Sequence, residues 1–578
     1  MNETQWIFFI LLVQLIHFFG TWKLYIKAGR KAWEAAIPVY NAMVLMKIIK
    51  RPRWWVILLF IPIINLLMFP VVWVETIRSF GRNSLWETWL VILTLGFYIY
   101  YVNYSLDVHY VQDRSLHPKT GLGEWVSSIV FAVVAATLVH TYFIQPYVIP
   151  TGSLEKTLLV GDFLFVSKFH YGARLPITSI AAPMVHDTIP LLGTRSYLAD
   201  VDPKTAKKSI LNKTQLPYLR LPGVTKIKRN DIVVFSWPAD TVRRFFRKAE
   251  RVEKPIDKKS NYVKRCVGIP GDSLEVRNGY VYVNGKRLTL SDRAKPQYDY
   301  MVYSQKGVSS RLLKELGATD FQRLYVAQSL SPTQKGALLA SGYRVYDRSQ
   351  PVQILTDSWG ISPNMVQQYR LALKEITDRQ RIVTLTEPLA QKLRNNTAID
   401  SVVKEIQTKG QRGINLFPQH PDYAWNYDNM GPLYIPAKGS TVHLDLKTLP
   451  LYKKIITDYE HNTLSVSGNQ VKINGAVTDS YTFKQDYYWM MGDNRHHSED
   501  ARAWGYVPED HIVGTPIFVW MSIENFTKGI GNWKIRWDRV FTTVHGEGEP
   551  RSYFKWFLIA LAAYFAGSWL WRRKKGNA

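Results

Sequence analysis

Long apolar runs, separated by polar loops, dominate the first 150 residues of the chain. Four of these runs have the composition of membrane helices: Trp6–Trp22, Trp54–Val74, Trp89–Val102 and Trp125–Ile144. About 20 helical residues cross the roughly 30 Å hydrocarbon core of a bilayer. The pattern predicts an N-terminal membrane region at 1–124 with three spans, of which Pro62 and Pro70 kink the second. A fourth span follows at 125–144.

The two ends of the chain need separate interpretation. A short run such as Trp6–Trp22 also suits a buried helix or a cleaved export signal, but no basic stretch precedes it, which favours a span. Near the other end, Tyr553–Trp571 is followed by Arg572-Arg573-Lys574-Lys575. Residues 527–578 are therefore predicted to form a C-terminal segment with a fifth span and a basic tail.

The basic loop at residues 23–53 predicts the orientation of the chain. It carries eight Lys and Arg residues against the single acid Glu34. Such loops stay in the cytoplasm. We therefore expect a multi-pass protein of the cytoplasmic (inner) membrane, with residues from about 145 to 552 on the periplasmic, outer side and the C-terminus inside.

Beyond residue 144 the apolar runs shorten to strand length. They are rich in Val, Ile, Phe and Tyr and are bounded by turn residues: Pro146–Ile149, Asp162–Val166, Asp231–Phe235, Ser273–Val276, Tyr280–Val283 and Pro516–Trp520. Asn284-Gly285 and Asn474-Gly475 each follow such a run, as in two-residue hairpin turns. The fold class is therefore membrane helices plus a mostly antiparallel β-domain, in two parts at 145–295 and 416–526.

The segment between these two parts, 296–415, differs in composition. It is polar and carries helix-like stretches at Ser362–Ile376 and Pro388–Gln407. We interpret it as a helical accessory unit. One hypothesis is that it touches substrate or membrane; the alternative is a solvated decoration without a chemical role.

The charge of the chain indicates an anionic partner. The net charge is +27, and the chain carries 20 Trp, 33 Tyr and 25 Phe. With long apolar runs and no nucleic-acid motif, the composition favours an anionic membrane surface over nucleic acid. The single cysteine, Cys266, excludes an intrachain disulfide, so the exported domain depends on its core.

Two short stretches carry the candidate chemistry. Ser153 follows Pro150-Thr151-Gly152, soon after the fourth span, and Lys264 precedes Gly268-Ile269-Pro270-Gly271-Asp272. A serine hydroxyl becomes a good nucleophile when a base removes its proton, and a lysine can be that base where burial disfavours its charge. At pH 7 only about one ordinary lysine in 2,500 is neutral, a penalty of roughly 4.6 kcal/mol. Lys264 is therefore expected to have a lowered pKa.

Four motifs in order, after a membrane span, resemble the signature of bacterial signal peptidase I. They are Pro150–Leu154 with Thr157-Leu158 and Gly161-Asp162, then Lys228–Phe235, Tyr262–Asp272 and Gly492–Gly505. The resemblance covers roughly residues 125–295 and 420–525. It implies a membrane-bound serine protease with a Ser–Lys dyad, which removes signal peptides from exported preproteins and needs no cofactor or metal.

The resemblance assigns roles to individual residues. Ser153 would be the nucleophile and Lys264 the general base, while Thr151 and the Ser153 backbone N–H would form an oxyanion hole. Ser498 would orient the lysine amine. Arg265 with Asp493, and Asp500 with Arg502, would form ion pairs that support the site.

The resemblance also implies a substrate groove. Its predicted walls are Tyr147, Ile149, Pro150, Leu154, Leu158, Tyr262 and Val263. Bulky walls leave shallow pockets that fit small side chains such as alanine, and the substrate would lie extended beside Pro146–Ile149. Leu154, Lys156, Asn230 and Ala501 depart from the family's usual residues, which affects substrate fit more than catalysis.

Other interpretations are carried alongside this one. A cytosolic self-cleaving repressor also uses a Ser–Lys dyad, but the predicted topology disfavours it. An inactive membrane scaffold is disfavoured by the intact Ser153, Lys264 and Ser498. The partners expected are preproteins, anionic lipids and the export translocon, with no nucleic acid. His496 and His497 are expected to be solvated rather than metal ligands, because no carboxylate–histidine spacing accompanies them.

Overall fold

The computed structural model describes residues 3–117, 120–206, 208–241, 251–347 and 350–576. Side chains of the basic tail at Lys574 and Lys575 lie outside the described part. The N-terminal region is helical: α1 Glu3–Lys27, α2 Tyr40–Ile48, α3 Trp55–Phe60, α4 Ile64–Ser79, α5 Leu85–Leu93, α6 Tyr98–Tyr104 and α7 Gly121–Tyr142. Apolar side chains from α1 to α6 share one core, which includes Tyr25, Met46, Val72 and Val102.

The second and third predicted spans are not single helices. Trp54–Val74 is broken between α3 and α4, because Pro62 disfavours helix at Ile61 and Ile63 takes a φ of +68°. Pro70 lies inside α4 without ending it. Trp89–Val102 is broken at Leu95 and Gly96, both with positive φ, and α5 and α6 meet at 117°. Each of these two predicted spans is thus divided between two helices, and the number of spans within 1–124 stays a prediction.

Among the described residues, three helices are long and apolar enough to cross a membrane. They are Thr4–Lys27, Gly121–Tyr142 and Phe554–Arg573, and the bent pair α5–α6 would make a fourth if it counts as one span. This finding rests on length and composition.

The first part of the β-domain follows α7 directly. Its elements are β1 Ile144–Val148, β2 Asp162–Ser167, α8 Ile210–Lys213, β3 Ile232–Ser236, β4 Asn261–Gly268, β5 Ser273–Arg277, β6 Tyr280–Val283 and β7 Lys286–Arg287. The predicted hairpin turn between β6 and β7 is confirmed, since Asn284 and Gly285 both have positive φ.

The accessory unit contains more strand than the sequence suggested. Its elements are β8 Gln297–Tyr303, α9 Ser310–Leu316, β9 Asp320–Phe321, β10 Arg323–Ala327, α10 Pro332–Ala340, β11 Arg344–Tyr346, β12 Val352–Thr356, α11 Pro363–Gln368, β13 Lys374–Ile376, β14 Gln380–Thr386, α12 Glu387–Arg394 and β15 Ser401–Lys404. They form two antiparallel sheets, of order β11–β12–β10–β13 and β15–β8–β14–β9.

The two predicted helical stretches in this unit are therefore too long. Ser362–Ile376 is helical only through α11, because Arg370 has a φ of +48° and Lys374–Ile376 pairs with β10. Pro388–Gln407 is helical only through α12, and Ser401–Lys404, with its β-branched Val402 and Val403, pairs with β8 instead.

The second part of the β-domain completes the main sheet. Its elements are β16 Met430–Tyr434, β17 Thr441–His443, α13 Leu449–Lys454, β18 Leu464–Ser467, β19 Gln470–Ile473, β20 Ala476–Val477, β21 Ser480–Thr482, β22 Tyr487–Met491, α14 Ala501–Trp504, β23 Val507–Pro508, β24 Ile512–Glu524, β25 Lys534–Ile535 and β26 Thr542–Thr543, followed by α15 Phe554–Gly576. The main sheet has the order β1–β2–β24–β3–β4–β22–β23. Long β24 joins its halves by pairing with β2 and β3.

The membrane helices and the β-domain meet around the end of α7. The Tyr142 hydroxyl donates to the Pro62 carbonyl between α3 and α4, at 3.1 Å. The Lys168 amine, just after β2, donates to the Thr141 carbonyl in the last turn of α7, at 3.0 Å. These contacts connect the end of α7 to the break between α3 and α4 and to the segment that follows β2.

Candidate active site

Ser153 lies in a tight turn held on both sides by the sheet. After β1, the Ile149 N–H donates to the Asp162 carbonyl at 3.0 Å, and Thr151 has an extended backbone. Residues Gly152–Leu154 then form one 3₁₀ turn. Leu154 is fully buried, in an apolar cluster with Leu158, Leu164 and Val234. The buried Leu154 side chain anchors the turn in this cluster, whereas the neighbouring Ser153 is half-buried.

Lys264 contacts the serine hydroxyl from β4. Its Nζ lies 2.5 Å from Ser153 Oγ, and the lysine is 4% exposed. Burial lowers the Lys264 pKa from its ordinary 10.5 to about 8, although the carboxylates of Asp500 and Glu499 oppose the shift. A shift of this size corresponds to roughly 3 kcal/mol in favour of the neutral amine. The lowered pKa predicted for Lys264 is present.

The polar loop after β22, residues 492–500, packs directly on residues 152–156, which we call the serine turn. The Asn494 N–H donates to the Ser153 carbonyl at 3.0 Å, and its side-chain amide donates to the Gly152 carbonyl at 3.3 Å. A Cβ on Gly492 would lie 2.6 Å from the Ser153 carbonyl oxygen, so only glycine permits this approach. We call residues 492–500 the catalytic loop.

Both predicted ion pairs are formed inside the protein. Arg265 makes a bidentate pair with Asp493, at 2.8 and 2.6 Å, and Arg502 makes one with Asp500, at 2.9 and 2.7 Å. All four side chains are 0–2% exposed. Asp500 also accepts the Gly492 N–H at 3.0 Å. The pairs tie β4, the catalytic loop and α14 together around Lys264; their roles in the reaction stay predictions.

The resemblance assigned roles to the hydroxyls of Ser498 and Thr151. Ser498 is 5% exposed and adjoins Gly492, but its Oγ has no hydrogen-bond partner among the described residues. The predicted bond from Ser498 to the lysine amine is therefore not made in this structure. Thr151 is exposed and its hydroxyl does not cap the turn, which leaves it open toward an incoming substrate. Both roles remain predictions.

The predicted groove residues separate into two groups. Ile149, Leu154 and Leu158 are 0–3% exposed and belong to the core beneath the turn. Tyr147, Tyr262 and Val263 are half-buried and Pro150 is exposed. Tyr262 stacks on Trp237 at 5.0 Å and contacts Trp504 edge-on at 5.4 Å, which forms an aromatic wall beside Lys264. The second group supplies the accessible surface next to the dyad.

Several residues that the structure places around the site were assigned no role from the sequence. The Thr157 hydroxyl donates to Asp493 at 2.7 Å, and Gln297, Asp299 and Asp428 approach the catalytic loop from distant segments. The prediction that His496 is solvated is wrong. His496 is held between Asp299 of the accessory unit and Asp428 of the second β-domain part, and its side chain is 13% exposed.

An anchoring apolar helix, an antiparallel β-domain, and a serine hydroxyl in contact with a buried lysine amine define the class of membrane-anchored serine peptidases. The comparison with protein families agrees. The family described as "Signal peptidase, peptidase S26" matches residues 122–340 and 434–521, more than half of the chain. The chain belongs to this family. A family of unknown function matches residues 33–113, which contain α2 to α6.

Curated relatives carry the same assignment at low identity. Signal peptidase I of Haemophilus influenzae is 22% identical over 435 residues, covering 75% of this chain and 79% of that protein. The enzyme of Buchnera aphidicola subsp. Schizaphis graminum is 21% identical over 402 residues, covering 67% and 71%. That of Rickettsia rickettsii is 26% identical over 174 residues, covering 30% and 47%.

Proposed function

We propose that this protein is a membrane-bound endopeptidase that cleaves signal peptides from exported preproteins. The observation that carries the proposal is the 2.5 Å contact between Lys264 Nζ and Ser153 Oγ, with the lysine 4% exposed. The test is cleavage of a purified preprotein by the full chain in detergent, with the new N-terminus of the product sequenced. Cleavage after the signal segment is expected; an intact preprotein would contradict the proposal.

The first half of the reaction uses the dyad directly. Neutral Lys264 accepts the hydroxyl proton of Ser153 as Oγ attacks the carbonyl carbon of the scissile bond. The negative charge that develops on the carbonyl oxygen is stabilised by the Ser153 N–H and, as the predicted second donor, the Thr151 hydroxyl. The intermediate then collapses, the C–N bond breaks, and Lys264 returns the proton to the leaving amine.

The second half releases the signal peptide. Water attacks the ester carbonyl while Lys264 takes a proton from it, and the ester bond to Oγ breaks as the proton returns to Ser153. The same amine must therefore alternate between base and acid within a turnover. A pKa of about 8 suits both tasks, since it lies close to neutral working pH.

The pKa of Lys264 predicts the pH dependence of the reaction. The base is active when neutral, so kcat/KM should rise about tenfold per unit below pH 8 and level off above it. At pH 7 about a tenth of the enzyme would be competent. A kcat/KM profile between pH 5 and 10 checks this. A rising limb near 10.5 would show an ordinary lysine and contradict the assigned base.

We further propose that the β-domain lies on the periplasmic side, and that this orientation does not depend on the broken helices. Arg51 and Arg114 both contact Glu75, and Lys27 at the end of α1 lies 3.8 Å from Asp107. Residues 51 and 114 therefore lie on the same face of the membrane, and the segment between them makes no net crossing. Only α1, α7 and α15 among the described helices are then proposed to cross the membrane. With the basic loop at 23–53 in the cytoplasm, α7 leads the β-domain to the periplasmic side.

Cysteine labelling tests this orientation, since the only native cysteine, Cys266, is buried. A membrane-impermeant maleimide should label Thr333→Cys on α10 in cells whose inner membrane is intact. Gln112→Cys, which precedes α7, should react only after that membrane is permeabilised. Both residues are exposed. The reverse pattern would overturn the proposed topology.

The proposed partners follow from location and charge. An enzyme at the periplasmic face of the cytoplasmic membrane receives preproteins as they leave the export translocon. The net charge of +27 favours contact with anionic lipid headgroups.

A further inference from the structure

The accessory unit begins at the active site. Gln297, the first residue of β8, is fully buried. Its N–H donates to the Asp493 carbonyl at 2.8 Å, and its carbonyl accepts the Arg495 N–H at 2.9 Å. Its side-chain amide donates to the Glu155 carbonyl, two residues after Ser153, at 2.7 Å. One residue thus bonds both the catalytic loop and the serine turn.

A second set of contacts holds the middle of the catalytic loop. His497 Nε2 donates to Asp299 Oδ1 at 3.0 Å, and the Thr384 hydroxyl donates to the same oxygen at 2.7 Å. The Asp299 N–H donates to His496 Nδ1 at 3.1 Å, which leaves His496 Nε2 to donate to Asp428 at 3.0 Å. Asp299 and Thr384 lie on β8 and β14 of the accessory unit.

A third contact reaches the serine turn from its other side. The Lys156 amine donates to the Thr319 hydroxyl, just before β9, at 2.5 Å. The accessory unit therefore bonds the serine turn through Gln297 and Thr319, and the catalytic loop through Gln297 and Asp299. Gln297, at 0% exposure, is buried where the accessory unit meets the catalytic loop, which is not expected of a solvated decoration.

We propose that the accessory unit is a clamp that sets the position of Ser153, with Asp299 as its main positioning residue. The path is short. The Asp299 carboxylate accepts from His497 and lies 3.6 Å from His496 Nδ1, and two residues before His496, Asn494 donates to the carbonyls of Ser153 and Gly152. Asp299 does not touch the reacting atoms. It acts by fixing the loop on which the serine turn rests.

The chemistry gives this clamp a kinetic signature. A displacement of about 1 Å between reacting groups can cost on the order of 10²-fold in rate. A loosened loop should leave the groove beside Tyr262 intact, so substrate binding should change little. The clamp therefore predicts a loss in kcat with KM nearly unchanged, which a purely stabilising contact would not produce.

The test rests on the proposed function and uses the full chain in detergent with a preprotein substrate. Asp299→Ala should lower kcat by about 10- to 100-fold, with KM within about twofold of wild type. Asp299→Asn keeps an oxygen that accepts from Thr384 and His497, and should recover most of kcat. Glu315→Gln, which alters an exposed carboxylate of the same unit, is the matched control and should leave kcat unchanged.

Hydrogen exchange over residues 150–158 and 492–500 separates the possible failures. If wild type does not cut the preprotein, the proposed function falls, and faster exchange in Asp299→Ala still supports the clamp. If wild type cuts and Asp299→Ala matches its kcat and exchange, the clamp is wrong. Should Asp299→Ala not fold, His497→Ala, whose side chain is 53% exposed, gives the same readings.

Discussion

Replacing Lys264 by methionine is expected to reduce kcat/KM by about 10²–10⁴-fold, the contribution of a positioned general base. Methionine is close to lysine in length and is apolar, so it fills the buried site without a charge and without a basic nitrogen. The change removes the 2.5 Å partner of the Ser153 hydroxyl and leaves the surrounding ion pairs in place. The reduction in kcat/KM is measured by steady-state cleavage of a preprotein in detergent.

Two further variants give this experiment its control. Ser153→Ala should abolish cleavage, and Lys306→Met, which changes an exposed lysine of the accessory unit, should cleave as wild type does. A thermal melt shows whether each variant is folded. Wild-type activity in folded Lys264→Met would exclude this lysine as the base.

Replacing Arg265 by methionine is expected to lower the free energy of unfolding by about 3–5 kcal/mol, because it leaves the Asp493 carboxylate buried without its charged partner. Asp493 is 0% exposed and accepts two bonds from the guanidinium. Since Asp493 lies in the catalytic loop, activity should fall as well. The midpoint of thermal unfolding, followed by tryptophan fluorescence in detergent, reports the change.

The matched control is Arg311→Met, which removes a solvent-exposed ion pair with Glu315 and should leave the unfolding midpoint almost unchanged. The double variant Arg265→Met with Asp493→Leu removes both charges and should recover part of the loss. Recovery would stay incomplete because Thr157 also donates to Asp493. An unfolding midpoint equal to wild type in Arg265→Met would contradict the role given to this pair.

Predictions from the sequence succeeded where a local pattern determines the structure. The strand Tyr280–Val283 and its Asn-Gly turn follow from alternation and from the positive φ that the turn requires. Predictions failed where a segment distant in the sequence determines the secondary structure. Val402 and Val403 lie in a strand because β8 is available to pair with them.

The order of the four motifs along the chain, the antiparallel β-domain behind an apolar helix, and the family of this protein could be derived from the sequence alone. Hydrophobic periodicity and turn residues are local properties, and motif spacing is read along one dimension. Only the tertiary structure decided the burial of Lys264, the lack of a hydrogen-bond partner for Ser498 Oγ among the residues the structure describes, and the contact of Asp299 with the catalytic loop. Those features depend on groups that the chain separates by tens to hundreds of residues, and desolvation and hydrogen bonding act only once folding has brought the groups together.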